Sequence, residues 1–303
     1  MKILGIDIGY GHVKVAWKDS RKQLRIVKFP TAVVLAQNTN YGEDENIMHF
    51  EKEKYLVAED AIINTLDSRS PEFLIKYAPL FIAYAIKLTG IRPSNFDTIA
   101  TGISVKNWKN FKSELQERIT KFSVNGVAYR FKNVTVTQQG RGILFDQNQQ
   151  QNKGYTVVVD GGYLTLDLIA FKDGKIVPDA VFATLNGANK MLETLQIKVN
   201  DLTQNDYTLV EINDILKDGY VVSHGTKKDL TETIRQVKME YVIKLLNIIK
   251  TQMSTYLGRA DKVLISGGVA HFLKGVKFNP NTILTADPEF GNARGYLKML
   301  GGA

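Results

Sequence analysis

Two short runs, 153 positions apart, constrain this chain more than anything else in it: Gly5-Ile6-Asp7-Ile8-Gly9-Tyr10-Gly11-His12-Val13-Lys14 and Asp160-Gly161-Gly162-Tyr163-Leu164-Thr165-Leu166-Asp167. Each reads as an apolar strand, an Asp, a glycine-bearing tight turn and a second apolar strand. Such a turn gathers backbone N–H groups around a concavity that suits a phosphate. One copy is a weak signal, because ordinary hairpins also carry glycines. Two copies, each opening a repeat of similar pattern, point to two half-sites closing on one nucleoside triphosphate.

What the chain lacks removes other chemistries. Cys is 0, which excludes disulfides, cysteine zinc sites, iron–sulfur ligation and thiol catalysis. There is no G-x-x-x-x-G-K-[ST] phosphate loop and no G-x-S-x-G nucleophile elbow. The four histidines, His12, His49, His224 and His271, are scattered, with none at metal-ligand spacing. No run approaches the roughly 18 apolar residues of a membrane span, and the start MKILGIDIG lacks the apolar core of a signal peptide. A cytoplasmic location is the simplest expectation. The net charge of +8 is uneven: basic residues crowd 1–30 and 106–121. Such surfaces favour polyanions or an acidic partner, and they also serve as plain solvated faces.

Residues 2–8, 12–18 and 23–29 are rich in Ile and Val and read as three strands, with a hairpin at Asp19–Lys22. Residues 37–54 read as a long exposed loop or a weak hairpin. Helical periodicity appears in 58–66 and from Pro71 to Thr89, followed by a strand at 97–104, a helix at 107–121, a hairpin turn at Asn125-Gly126 and a strand from Phe131 to Thr137. Gln147–Gly154 is of low complexity and marks a hinge. The pattern then restarts with strands at 155–159, 163–171 and 175–182. A helix near Gly187, a small polar insert at about 200–226, a helix over about 228–257 ending at a C-terminal Gly258, a strand at 262–266 and a last helix at about 288–300 complete it. The expected division is 1–150, with a C-terminal helix of about 286–303 packing back on it, and 151–285.

The chemistry-bearing positions follow from this layout. Asp7 ends a strand at a cleft floor, where a carboxylate can hold Mg2+ through water. Gly9 and Gly11 let backbone approach a phosphate, Tyr10 and His12 flank it, and Lys14 shares a strand face with Tyr10 and His12 and can turn back toward it. Lys14 also reads as an ordinary strand lysine, and His12 as a packed ring. Asp160 mirrors Asp7, within a turn of Gly161, Gly162 and Tyr163, and Thr165 and Asp167 share a face that can brace that turn. Gln139, in QQGRG just after a strand, can orient a water by donating and accepting hydrogen bonds, with Gln138 as its rival. Gly267-Gly268-Val269 follows a strand, and removes side chains where a flat base can lie. The small residues of Glu289–Tyr296 suit a tight helix crossing beside the hinge.

Taken in order, these five segments resemble the actin-like ATPases, and DIGYGHVKV, TQQGRG and DPEFGNARGY look most like plasmid-segregation actins of the ParM or StbA type. The matching pattern has a first phosphate loop (Asp7 to Lys14) and a connecting segment (Gln139-Gly140-Arg141-Gly142). A D-x-G-x-x-T-x-D loop (Asp160, Gly162, Thr165, Asp167), an adenosine motif (Gly267-Gly268) and a second connecting segment complete it. The resemblance implies an α/β protein of the actin-like ATPase fold, with two ribonuclease-H-like domains enclosing a nucleotide cleft. It implies ATP, or alternatively GTP, with Mg2+ managed by Asp7 and Asp160, and Gln139 positioning the attacking water. It also implies homopolymer filaments that move plasmid DNA through a DNA-binding adaptor, turned over by hydrolysis. Tyr163 and Leu164 stand where the family often has small residues, Gln138 replaces a frequent proline, and the chain is short and basic for the family. A small-molecule kinase of the same fold and a non-hydrolysing nucleotide-binding scaffold are the alternatives. Zero Cys counts against the compact kinases that carry a cysteine zinc loop.

Overall fold

The computed structural model describes residues 2–36, 47–62 and 70–301. Strands β1 (Lys2–Ile8), β2 (His12–Lys18) and β3 (Leu24–Pro30) form an antiparallel meander. A small sheet of β4 (Val33–Leu35), β5 (Met48–Phe50) and β6 (Glu53–Val57) follows. Next come helix α1 (Pro71–Thr89), β7 (Phe96–Ile103), α2 (Val105–Thr120), the hairpin β8 (Lys121–Val124) and β9 (Val127–Arg130), and β10 (Asn133–Gln138). The first main sheet has the order β10-β7-β1-β2-β3, with β1, β7 and β10 parallel.

The chain then crosses over through α3 (Arg141–Asp146) and builds the same arrangement again. β11 (Tyr155–Gly161), β12 (Leu166–Lys172) and β13 (Lys175–Thr184) form a second antiparallel meander. After them run α4 (Asn189–Thr203), α5 (Leu209–Asp218), the hairpin β14 (Tyr220–Ser223) and β15 (Thr226–Asp229), α6 (Thr231–Leu257), β16 (Ala260–Ser266), β17 (Thr282–Leu284) and α7 (Gly291–Met299). The second sheet has the order β13-β12-β11-β16-β17, strand for strand the topology of the first.

Each element has a local cause. In α1 the Ser70 hydroxyl caps the Phe73 N–H at 3.1 Å, Pro71 takes the first turn, and Gly90 ends the helix at φ 66°. Its apolar side, including Phe81 and Ile82, is buried against the first sheet beside Leu4, Ile6 and Val15. Helix α6 buries Ile234, Val237, Tyr241, Leu245, Ile249 and Met253, a three-to-four-residue spacing that lays one stripe on the second core.

The structure corrects several expectations. Of the loop or weak hairpin expected over 37–54, the described part is a hairpin: β5 pairs antiparallel with β6, with Met48, Phe50, Tyr55 and Val57 turned inward and His49 and Lys54 outward, and positions 37–46 lie outside the described residues. Of the helix expected over 58–66, the described part is a single 3-10 turn at Ala58–Ala61. Thr208 and Glu211 form a reciprocal capping box that starts α5, and the last two residues of β15 take the first positions expected of the long helix, which starts at Thr231. β12 begins at Leu166, so residues 163–165 belong to the turn. Gly258 closes α6 in a right-handed conformation, φ −67°, and so lacks the left-handed geometry expected of a terminating glycine.

The two crossing helices exchange partners. α3 follows the last strand of the first sheet, yet its Ile143 and Leu144 are buried with Val158, Ile169 and Leu264 of the second. α7 follows the last strand of the second sheet, yet its Ala293 and Leu297 pack on Ala16 of the first. The helices cross at Gly142 and Gly295, where a Cβ on Gly295 would stand 1.7 Å from the Gly142 carbonyl oxygen. The buried Arg294 guanidinium clamps Asp146 through two bonds, at 3.0 and 2.7 Å, beside this crossing.

Candidate functional site

The two meanders place their acidic turns at the same register. In the first, Asp7 on β1 stands directly opposite Lys14 on β2; in the second, Asp160 on β11 stands opposite Asp167 on β12. One hairpin therefore pairs a carboxylate with a cation, and the other pairs two carboxylates. Both turns line one cavity of about 240 Å³ between the sheets. Lys14 Nζ lies 3.6 Å from Asp7. The Thr165 hydroxyl donates to Asp167 at 2.7 Å. Burial, then the Asp167 and Asp7 carboxylates, push Asp160 up to about 7 despite Asn292 and Lys14. Burial pushes Asp167 up to about 6. The cavity floor thus concentrates negative charge that Lys14 alone does not balance.

Each of the two leading carboxylates is held by a side-chain amide that returns from far along the chain. Gln139 Nε2 donates to Asp7 at 2.9 Å, and Asn292 Nδ2 donates to Asp160 at 2.8 Å, each across 132 positions. The offset of 153 residues that separates Asp7 from Asp160 also separates Gln139 from Asn292 and Gly142 from Gly295. The site is an internal repeat, with its amides equivalent as well as its acids.

Most of the residues read from the sequence meet here. Asp7, Gly9, Tyr10, His12, Lys14, Gln139, Asp160, Gly162, Tyr163, Thr165, Gly267 and Gly268 all line the cavity. Three do not. The Gly11 backbone faces Tyr163 from the other wall, so that a Cβ on it would stand 2.6 Å from Tyr163 Cβ. Gly161 and Val269 pack on each other beneath the floor, Val269 being buried. Gly267, at φ +79°, brings its backbone against the Gly161 carbonyl, where a Cβ would be 2.3 Å away, and its N–H donates to Pro288 at 2.8 Å. His12 is exposed at the cavity mouth, yet desolvation by the surrounding walls, then Lys14 and Lys28, push its imidazole down to about 4, so it is neutral at pH 7.

Sequence reasoning missed the roles of Asn292 and Glu289. Glu289 lines the cavity and accepts from Lys28 Nζ at 2.5 Å, with His271 at 3.5 Å. A signal was present, since with Arg294 they are the charged or amide side chains of a segment otherwise made of glycine, alanine and aromatic residues. The outer edge of the cavity opens into an apolar groove of about 500 Å³ that shares Tyr10, His12, Tyr163 and Ala188 with it and reaches Asn213, Lys217 and Phe272. Within the two basic stretches, Lys14 pairs with Asp7, Arg25 with Asp19, Lys28 with Glu289 and Arg118 with Glu51.

Residues 5–142 match the family model for the N-terminal domain of actin-like proteins, and residues 158–276 match the C-terminal model of archaeal MreB-like actin homologues. The chain belongs to the actin-like superfamily. This actin-like chain superposes on Ta0583, an archaeal actin homolog, with a TM-score of 0.83 and 21% identity over 100% of both chains. The ADP complex of that protein gives 0.81 at 18% identity, again over 100% of both. A subunit of a 15-stranded ParM filament from Clostridium botulinum gives 0.77 at 19% identity over 98% of both. None of the curated proteins matches the sequence. The expected fold is therefore confirmed: an actin-like α/β chain with two sheets of mixed parallel and antiparallel strands.

Proposed function

We propose that this chain is a ParM-type actin-like ATPase: it binds ATP in the cleft, polymerises with itself, and hydrolyses the nucleotide to control filament turnover. The observation that carries this reading is the convergence of Asp7 and Asp160, each amide-held, on one cavity between two equivalent sheets. The phosphates would lie between the two turns, with Lys14 as their cation. Gly267 and Gly268 leave room for the nucleoside, which can extend toward the outer groove. Gln139 would orient the attacking water, its amide already anchored on Asp7 at 2.9 Å.

The donor set fits a divalent cation. Asp7, Asp160 and Asp167 lie close to Lys14 at the cavity floor, and Asp160 is raised by burial and then by the Asp167 and Asp7 carboxylates. Asp7 and Asp160 would hold such an ion through its water ligands, as Mg2+ keeps much of its hydration shell. Such an ion neutralises charge on the phosphate oxygens. We further assign the division near residues 150 and 285, with the C-terminal helix returning to the first unit. In the cell, the reading places the filament in the cytoplasm, moving plasmid DNA through a DNA-bound adaptor. Among the described residues no helix is long and apolar enough to cross a membrane.

Sedimentation and phosphate release test the proposal together. With ATP and Mg2+ the wild type should pellet as filaments and release phosphate, and Asp160→Ala should abolish release. Protein that stays monomeric at high concentration with ATP, GTP or their diphosphates refutes the polymer. Phosphate release that depends on an added sugar or vitamin turns the assignment to a kinase.

A further inference from the structure

Asn292 occupies a place that the sequence pattern alone did not assign. It is 6% exposed and lines the cavity from the first turn of α7. Its amide is used at both ends. Nδ2 donates to Asp160 Oδ2 at 2.8 Å, and Oδ1 accepts the Gly140 N–H at 3.0 Å. Gly140 is the residue after Gln139, whose own amide holds Asp7. One side chain thus ties the carboxylate of the second turn to the peptide that carries the glutamine of the first.

Its surroundings make it stiff. Gly291 lets the helix start approach the second sheet, where a Cβ would be 2.5 Å from Ser266 Oγ. Ala293 is buried in the first half, and its carbonyl oxygen lies 2.3 Å from where a Cβ on Gly5 would be. Asn292 is therefore clamped between the two sheets by its neighbours on either side. A buried amide satisfied at both ends holds its partners in fixed geometry, and loss of one end leaves a buried polar group unpaired.

We propose that Asn292 is the positioning residue that couples the two acidic turns: it sets the orientation of Asp160 and the placement of Gln139 with a single amide. The pseudo-equivalence with Gln139 sharpens this role. At the 153-residue offset, Gln139 reaches one acid and faces the cavity, whereas Asn292 reaches the other acid and also holds the partner segment. The two amides divide the work, Gln139 toward the attacking water and Asn292 toward alignment. The inference rests on the nucleotide-hydrolysing reading given above.

The test compares Asn292→Ala with Asn292→Asp in the full chain, using labelled ADP for binding and phosphate release from ATP for turnover. Asn292→Asp has the same shape and keeps an acceptor for the Gly140 N–H, but it replaces the donor to Asp160 with a like charge. It isolates the Asp160 end and stands in if the alanine variant fails to fold. Both variants should lose kcat by about 10- to 100-fold, the range set by small misplacements in an active site. Binding of labelled ADP to Asn292→Ala should weaken by less than about threefold, and KM for ATP should move as little. Turnover within twofold of the wild type in either variant overturns the role. So does a fall in turnover matched by an equal loss of ADP binding, which marks a residue that merely holds the fold. If the wild type binds labelled ADP yet releases no phosphate, the hydrolytic reading itself fails, and the coupling fails with it. If the wild type binds no nucleotide, the whole assignment of the cleft is wrong.

Discussion

At the scale of single residues, Asp160 is a carboxylate whose own fold resists its ionisation. It is half-buried, desolvated by the cavity floor, and stands opposite Asp167 on the neighbouring strand, with Asp7 beyond. A salt-bridged acid stabilises a protein above its unfolded pKa, but here the sign is reversed. The folded value of about 7 lies above the unfolded one, so the native state binds the proton more tightly. The contribution of Asp160 to stability without nucleotide is therefore most favourable at and below about pH 4 and falls as pH rises toward 7, where this group has ionised in the unfolded chain and has not in the folded one. Asp160→Asn keeps the shape and removes the penalty. It should stabilise the nucleotide-free protein at pH 8 by about 2–4 kcal/mol, shrinking toward zero near pH 4. Thermal unfolding at several pH values measures this, and a stabilisation independent of pH rules it out. The same variant should fail in turnover, since the site keeps this carboxylate despite its cost to the fold.

Among the elements, the two crossing helices decide how closely the halves approach. α3 and α7 meet at Gly142 and Gly295 with backbone against backbone, which any side chain at 295 would prevent. Gly295→Ala forces its Cβ into the Gly142 carbonyl and should cost about 3 kcal/mol or more, as overpacking of a rigid contact does. Gly258 gives the contrasting case. It closes α6 in right-handed geometry, and a Cβ there meets nothing nearer than 3.6 Å. Gly258→Ala should be neutral or stabilise by about 0.4–1 kcal/mol, through the lower entropy of the unfolded chain. Urea unfolding of the two variants side by side distinguishes them; equal effects would mean that the crossing is not tight. The Gly258 outcome also shows how far a glycine can be read from sequence. Its position after an amphipathic run fits a left-handed terminus, and the backbone did not take that option.

For the molecule as a whole, cooperativity runs through the exchanged helices. Each sheet has its own core, one around Leu4, Ile6 and Phe81 and the other around Val157, Leu245 and Met253. Without the crossing, these are two separate hydrophobic clusters. Arg294 on α7 and Asp146 just after the Gly142 contact form a buried pair, and Arg294 also donates to the Ala286 carbonyl oxygen at 2.5 Å. Arg294→Met removes both guanidinium bonds and leaves Asp146 with Lys298 Nζ at 3.2 Å and the Gln147 amide, and it should cost about 1.5–3 kcal/mol. Because the loss falls on the junction, calorimetry without nucleotide should show the single wild-type transition separating into two. One cooperative transition at a lower temperature would mean that the halves communicate by another route.

The sequence by itself determined the local structure: the paired strand–turn–strand units, the acids at their tips, the capped helix from Pro71 to Thr89 and the order of the five segments. These are readable because strand alternation, helical spacing and turn chemistry act over a few residues. Only the tertiary structure decided which distant amide meets which acid, that Val269 sits under the floor rather than in the cavity, and that α3 and α7 trade sheets. Those outcomes depend on contacts across more than a hundred residues, where no short-range preference selects the partner and only joint packing of both cores does.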